Sequence, residues 1–269
     1  MSRPPPILLV GCGNMGQALL RGWLASGWSA DDVSVVEPAE PPRLAARALG
    51  VAVSATRAAR IRADVVVLAV KPQHLDAVLP AYRDLCERGC VLLSIAAGRP
   101  LSVYEAVLGH QAAIVRGMPN TPAAIGQSMT VLVANRAATA PQRAACQAVM
   151  TAVGRVVWLE DETLMNAVTG VSGSGPAYVF LLIGTLTEAG VAMGLGSELA
   201  GQLAVTTVAG AGALALGSDV DAAELRRRVT SPGGTTEAAL RVLMADNGLM
   251  GLMKEAVRAA TARGGELAR

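Results

Sequence analysis

The stretch ILLVGCGNMGQALLRGWLAS, Ile7–Ser26, decides how the chain is read. Ile7–Val10 is an apolar run of strand length that stops at a glycine cluster, and Met15–Ser26 then carries its apolar residues at helical spacing. The order is strand, tight turn, helix. GCGNMG at Gly11–Gly16 has the spacing G-x-G-x-x-G, which alone is a weak sign in a chain holding 29 glycines. Its place between strand and helix makes it strong. Gly11 permits the tight turn, Gly13 lets backbone amides approach a pyrophosphate, and Gly16 lets helix and strand pack closely. The helix N-terminus then faces the anion. An ordinary strand-to-helix turn is the plain alternative.

Outward from this unit the alternation continues. Val33–Val36 reads as a second strand ending at Glu37-Pro38, and Arg43–Leu49 as a helix closed by Gly50. Val51–Val53, Asp64–Val70 and Val91–Ile95 read as further strands; Ala113–Arg116 and Met129–Ala134 continue the sheet and Val156–Trp158 closes it. Strands alternating with helices predict a parallel, doubly wound sheet. From Thr163 the strand signals fade, and apolar residues recur at helical spacing through Ala177–Met193, Leu199–Leu216, Thr236–Asp246 and Leu249–Arg263. Two domains are expected, residues 1–160 binding a dinucleotide and residues 161–269 helical, and 269 residues suit two such units.

Hydrophobic residues make up 52% of the chain and aromatic ones 3%, so the interior is built from Ala, Val and Leu. The 23 Lys and Arg against 21 Asp and Glu are interleaved without long runs, so no nucleic-acid partner is expected. Cys12, Cys86, Cys90 and Cys146 lack paired metal-ligand spacing, so no metal site is expected and the thiols read as reduced. The apolar run in MSRPPPILLV is too short for a signal peptide, which points to the cytoplasm. Leu199–Gly217 carries no charge and is long enough to span a bilayer. Its Gln202, Thr206 and Thr207 and its many small residues favour instead a helix buried among protein partners, and no membrane is expected.

Glu37 lies at the end of the second strand, where an acidic side chain accepts hydrogen bonds from adenosine ribose hydroxyls and repels a 2′-phosphate. That favours NADH, although Arg43 is near enough to offer a phosphate partner. Ala69-Val70-Lys71-Pro72 and Ala96-Ala97-Gly98 follow strand ends on the side where open α/β sheets bind ligands.

The helical half offers no His, Lys254 as its single Lys and Tyr178 as its single Tyr. Carbonyl reduction usually needs such a group to manage the oxygen's proton. A protonated imine accepts hydride with little more than orientation and a hydrogen bond, and the hydride itself belongs to the cofactor. Ser172–Pro176 and Thr230–Thr236 each place glycines and hydroxyls ahead of a helix, which suits a small carboxylate or a plain helix cap.

At these segments the sequence resembles pyrroline-5-carboxylate reductases, which reduce a cyclic imine to proline. The resemblance rests on GCGNMG, LAVKPQ (Leu68–Gln73), SIAAG (Ser94–Gly98), VRGMPNTPA (Val115–Ala123), TGVSGSGPAYVF (Thr169–Phe180) and VTSPGGTTEAAL (Val229–Leu240), and it covers nearly the whole chain. It implies an α/β Rossmann-type N-terminal domain followed by an all-α C-terminal dimerisation domain. It also implies a homodimer, with a decamer of dimers as the larger assembly, and NADPH or NADH as cofactor. The substrate carboxylate is expected at Ser231, Gly233, Gly234 and Thr235, with Thr236 as the catalytic hydroxyl at the ring nitrogen and Asp219 near the substrate. The cofactor is expected along Gly11, Cys12, Gly13, Asn14, Met15, Gly16, Glu37, Thr56, Ala69, Val70, Lys71, Pro72, Ala97 and Asn120. Many relatives carry small polar residues where this chain has Glu37-Pro38, which departs from their NADPH preference. A related imine or keto-acid reductase, and a nucleotide-sensing regulator on the same scaffold, are the competing readings; retention of the whole Ser231–Thr236 loop weighs against both.

Overall fold

β1 (Ile7–Val10) stands inside an eight-stranded sheet in the computed structural model, which describes residues 4–58 and 61–267. The ends of the two expected domains, residues 1–3 and 268–269, lie outside the described residues. The other strands are β2 (Val33–Val36), β3 (Ala52–Ser54), β4 (Val65–Leu68), β5 (Val91–Ser94), β6 (Ile114–Met118), β7 (Ser128–Ala134) and β8 (Gly154–Trp158). They lie in the order β3-β2-β1-β4-β5-β6-β7-β8. The chain therefore winds outward in one direction from β1 through β2 and β3, then restarts on the other side with β4.

Every residue of β1, β4 and β5 is buried. Helices cover both faces, which is why these strands read as unbroken apolar runs instead of alternating. On one face Leu19, Leu20 and Trp23 of α1 (Asn14–Ala25) pack with Cys146, Val149 and Met150 of the helix Ala140–Thr151. The buried Trp23 indole donates to the Val149 carbonyl at 2.8 Å, so the ring fills the core without stranding its N–H. On the other face Leu75, Leu79, Tyr82, Leu85 and Tyr104 fill the core.

The sheet is not wholly parallel, contrary to the expectation from alternation: β7 pairs antiparallel with β6. The reason is the connection. Pro119–Gln127 forms only a short 3-10 turn, Thr121–Ile125, whereas a parallel return needs a crossover of roughly a dozen residues or more. The helix Ala140–Thr151 does supply that crossover, and β8 returns parallel to β7. α2 (Glu40–Arg47) begins ahead of the expected Arg43, because Pro41 and Pro42 have backbone angles suited to a first turn.

Compact packing separates the residues up to Gly173, joined by those from Ala260 on, from a second unit at Ser174–Ala259. The helical succession itself starts at Glu162, just past the last strand. The second unit contains the helices Gly175–Ala192, Ser197–Leu216, Ala222–Arg228 and Thr235–Leu243, and most of Leu249–Leu267. The first two pack on each other with Gly190 against Ala200. Both are long and apolar enough to cross a membrane, yet the apolar windows that include them are only 6% and 11% buried within this chain. Phe180, Leu181, Leu203 and Leu214 are all exposed. A helix that is apolar all round and uncovered by its own chain needs a second surface to bury it.

All four cysteines are buried. Burial, with a smaller effect from the Glu37 carboxylate, pushes the Cys12 thiol up to about 11. Burial alone holds Cys146 at about 12, which keeps it a packing group.

Candidate active site

The strand order reverses between β1 and β4, and the crevice beyond their C-terminal ends is where a doubly wound sheet binds ligands. Three loops leave it side by side. Gly11 N–H donates to Val36 O at 2.8 Å, Ala69 N–H to Val10 O at 2.8 Å and Ile95 N–H to Leu68 O at 3.0 Å, so each loop starts in register with its neighbour. Gly11 sits at φ +87°, and a methyl group there would stand 2.9 Å from the Ala69 carbonyl oxygen. A methyl group at Gly16 would collide with the Gly11 carbonyl. Among the described residues nothing lies within 4 Å of where a methyl group on Gly13 would stand, so the turn is tight beneath and open above.

Gly13 caps α1 without a side chain, and the first turn holds no acidic residue. The amides of Asn14, Met15 and Gly16 thus meet no competing carboxylate in that turn, and the helix dipole favours a phosphate there. This open cradle over an uncapped helix fits the pyrophosphate of a dinucleotide.

Glu37 follows β2, as expected, but it is 93% buried and does more than wait for a ribose. Its Oε2 accepts from Cys12 N–H at 2.6 Å and its Oε1 from Ala39 N–H at 2.8 Å. The carboxylate therefore ties the glycine-rich turn to the start of α2, a role that spacing could not reveal. Arg43 on α2 donates to the Pro38 carbonyl at 2.7 Å, which holds a cation at the same loop. Thr56 is exposed beyond β3, and its carbonyl accepts from Ser54 Oγ at 2.7 Å.

Beyond β4, Ala69 and Val70 are half-buried, Lys71 is exposed, and Pro72 opens a short 3-10 turn, Pro72–His74. Ala97 is half-buried beyond β5. Asn120, after β6, has its carboxamide engaged by protein on both sides: Oδ1 accepts from Met129 N–H at 3.0 Å and Nδ2 donates to Ser172 O at 3.1 Å. It braces the β6–β7 connection against a π-helical turn, Thr169–Gly173, inside TGVSGSG. Four polar residues that sequence reasoning passed over stand behind this end of the sheet: Ser94, Tyr104, Arg116 and Glu162. Their only signal was the placing of charged or hydroxyl groups at strand and helix ends amid apolar runs.

In the second unit, Ser231–Gly234 leads into the helix Thr235–Leu243, one residue earlier than periodicity suggested. Gly233 adopts φ +69°, and Gly234 N–H closes the turn on Ser231 O at 3.0 Å. Glu237 Oε2 accepts from Gly233 N–H at 2.7 Å. Gly234 caps the helix without a side chain, leaving Thr235 exposed and Thr236 half-buried in the first turn. Asp219 is exposed in the connection after Ser197–Leu216, and no hydrogen bond among the described residues joins it to Ser231–Thr236.

A family model described as pyrroline-5-carboxylate reductase dimerisation matches residues 162–267, and one described as NADP oxidoreductase, coenzyme F420-dependent, matches residues 6–98. The chain is 44% identical over 266 residues to the pyrroline-5-carboxylate reductase of Pseudomonas aeruginosa, covering 98% of this chain and 97% of that one. It is 37% identical over 260 residues to the enzyme of that name from Pisum sativum, covering 96% and 94%. Among solved structures, a pyrroline-5-carboxylate reductase from Coxiella burnetii matches with TM-score 0.93 and 36% identity over 98% of this chain and 99% of that one. The pyrroline carboxylate reductase of Plasmodium falciparum, solved with NADP bound, matches with TM-score 0.86 and 26% identity over the whole of both chains. An open dinucleotide cradle, an uncapped Ser-Pro-Gly-Gly-Thr-Thr helix entrance and full-length relatives agree: this chain belongs to the pyrroline-5-carboxylate reductase family.

Proposed function

We propose that this chain reduces 1-pyrroline-5-carboxylate to L-proline with hydride from NADPH or NADH, the last step of proline synthesis. The observation that carries this reading is the Ser231–Thr236 helix entrance in a chain that also holds an open, uncapped dinucleotide cradle. When bound, the reduced nicotinamide supplies the hydride. Ser231, Gly233, Gly234 and Thr235 hold the substrate carboxylate against the positive end of the helix Thr235–Leu243, the Gly233 amide passing from the Glu237 carboxylate to that of the substrate. Thr236 directs its hydroxyl to the ring nitrogen as that atom changes from imine to amine, and Asp219 adds negative charge toward the iminium. Residues 1–160 hold the cofactor along Gly11–Gly16, Glu37, Thr56, Ala69–Pro72, Ala97 and Asn120, and residues 161–269 hold the substrate.

The family model for dimerisation spans the uncovered apolar helices, which supports a second copy of the chain as the surface that buries them. A decamer of dimers is the larger assembly in this proposal. The reading places the enzyme in the cytoplasm. The test is the absorbance of NADPH and NADH in separate reactions with 1-pyrroline-5-carboxylate. Loss of absorbance matched by proline formation is expected; no oxidation of either cofactor would end this reading.

Glu37 sets the balance between the two cofactors. Glu37→Ser removes a carboxylate that repels a 2′-phosphate and leaves Arg43 unopposed beside it. The ratio of kcat/KM for NADPH to that for NADH is expected to rise by about tenfold, the factor that about 1.4 kcal/mol provides. Because Glu37 also holds the Cys12 amide, absolute activity with NADH falls as well. An unchanged ratio would take Glu37 out of cofactor discrimination.

A further inference from the structure

The loop after β5, Ile95–Pro100, is fastened at both ends by polar contacts, buried at the strand end and half-buried at the helix end. At the strand end, Ser94 Oγ and Tyr104 OH share a hydrogen bond of 2.6 Å, both residues being fully buried. Ser94 Oγ also accepts from Ala96 N–H at 3.3 Å. At the far end, Leu101 N–H opens the helix Leu101–Leu108 and donates to Glu162 Oε1 at 2.8 Å. The same oxygen meets Arg116 Nη1 at 2.9 Å, and the Arg116 side chain is 6% exposed. Within the loop, Arg99 pairs with Asp76 beyond β4. Leu267 packs within 3.1 Å of where a Cβ on Gly98 would stand, at φ +75°.

A buried arginine is costly to keep unless a partner balances it, and here the partner spends the same oxygen on the first amide of the helix. Glu162 is thus a joint between three separate segments: the helix entry at Leu101, strand β6 through Arg116, and the first helical turn after the last strand, Glu162–Leu164. All of these belong to the unit that carries the dinucleotide crevice. A dinucleotide laid across that crevice puts its adenosine half on the β1–β2 side and its nicotinamide half on the β4–β5 side, over Ala97.

We propose that Glu162, braced by Arg116, is a positioning residue that holds the Ile95–Pro100 loop as the bed for the nicotinamide ring. The proposal rests on the reductase reading only in naming the cofactor class, and its main test needs no turnover. Full NADH and ADP-ribose, which lacks the nicotinamide, are titrated calorimetrically into the wild-type protein, Glu162→Ala and Glu162→Gln. Glu162→Ala is expected to weaken NADH by about tenfold, equivalent to about 1.4 kcal/mol, with ADP-ribose binding unchanged. Glu162→Gln keeps an oxygen for Leu101 N–H and recovers most of the NADH affinity. Tyr104→Phe keeps the ring, introduces no charge and loosens the strand end, so it produces a smaller loss in the same direction and serves if Glu162→Ala does not fold. Equal losses for NADH and ADP-ribose, or no loss of NADH in Glu162→Ala and Tyr104→Phe, would overturn the proposal. With the imine present, the primary deuterium isotope effect on kcat from reduced cofactor deuterated at the transferred position rises in Glu162→Ala. Failure of wild-type turnover with normal NADH binding would count against the reductase reading alone.

Discussion

Gly16→Ala is expected to lower kcat/KM for the reduced cofactor by about 100-fold, the loss that a displacement of about 1 Å brings to a positioned reaction. The added methyl has nowhere to go: it lands on the Gly11 carbonyl, and Gly11 in turn is pinned against the Ala69 carbonyl and by its N–H to Val36. Relief requires α1 to move outward from β1. That lifts the first-turn amides away from the pyrophosphate and loosens Leu19, Leu20 and Trp23 in the core. Overpacking of this kind costs about 1–3 kcal/mol, so thermal unfolding should shift down while the chain still folds. The informative comparison is Gly13→Ala, where the methyl enters open space. Gly13→Ala should leave the unfolding temperature near wild type and weaken cofactor alone. If Gly16→Ala binds cofactor normally, the turn is not the cradle described above.

Thr236→Ala is expected to lower kcat by about tenfold to several hundredfold, the range for removing an orienting hydrogen bond or proton donor near charge that develops in the transition state. The structure sharpens which threonine to change. Thr235 and Thr236 stand in consecutive first-turn positions, but Thr235 is exposed and Thr236 half-buried. Thr236→Ser keeps the hydroxyl and should restore most of the rate, whereas Thr235→Ala should act chiefly on KM for the imine. The loss belongs to kcat because the hydroxyl matters most as the nitrogen becomes an amine. Steady-state kinetics on the three variants separates these outcomes, and near-wild-type kcat in Thr236→Ala would exclude a major role for that hydroxyl.

Local pattern carried much of the architecture. Buried parallel strands announce themselves as short apolar runs, so Ile7–Val10, Val91–Ile95 and the glycine-rich turn could be placed from residue type alone. The direction of β7 could not be read from its own residues, since a strand buried on its inner faces looks alike either way; only the shortness of Pro119–Gln127 betrayed it. Glu37 was found by its spacing from Gly16, but its bonds to the Cys12 and Ala39 amides depend on how two loops fold over each other. Arg116, Glu162, Ser94 and Tyr104 escaped for the same reason. Their partners lie 46, 61 and 10 residues away in the chain, and no short motif records a contact over such separations. The Ser231–Thr236 loop was the opposite case, because its glycines, its proline and its hydroxyls all lie within six consecutive positions.

The helices Gly175–Ala192 and Ser197–Leu216 carry so little charge and so much uncovered apolar surface that their burial belongs to an assembly and not to one chain. In a two-fold pair every residue on such a surface occurs twice, once from each copy. A single codon change that puts a charge at Leu203 or Leu214 therefore damages both sides of one interface. When altered and unaltered chains are made together, the altered ones also draw normal partners into weakened pairs. Harm inherited through these helices would tend to be dominant, whereas harm at the Gly11–Gly16 turn, confined to the subunit that carries it, would tend to be recessive.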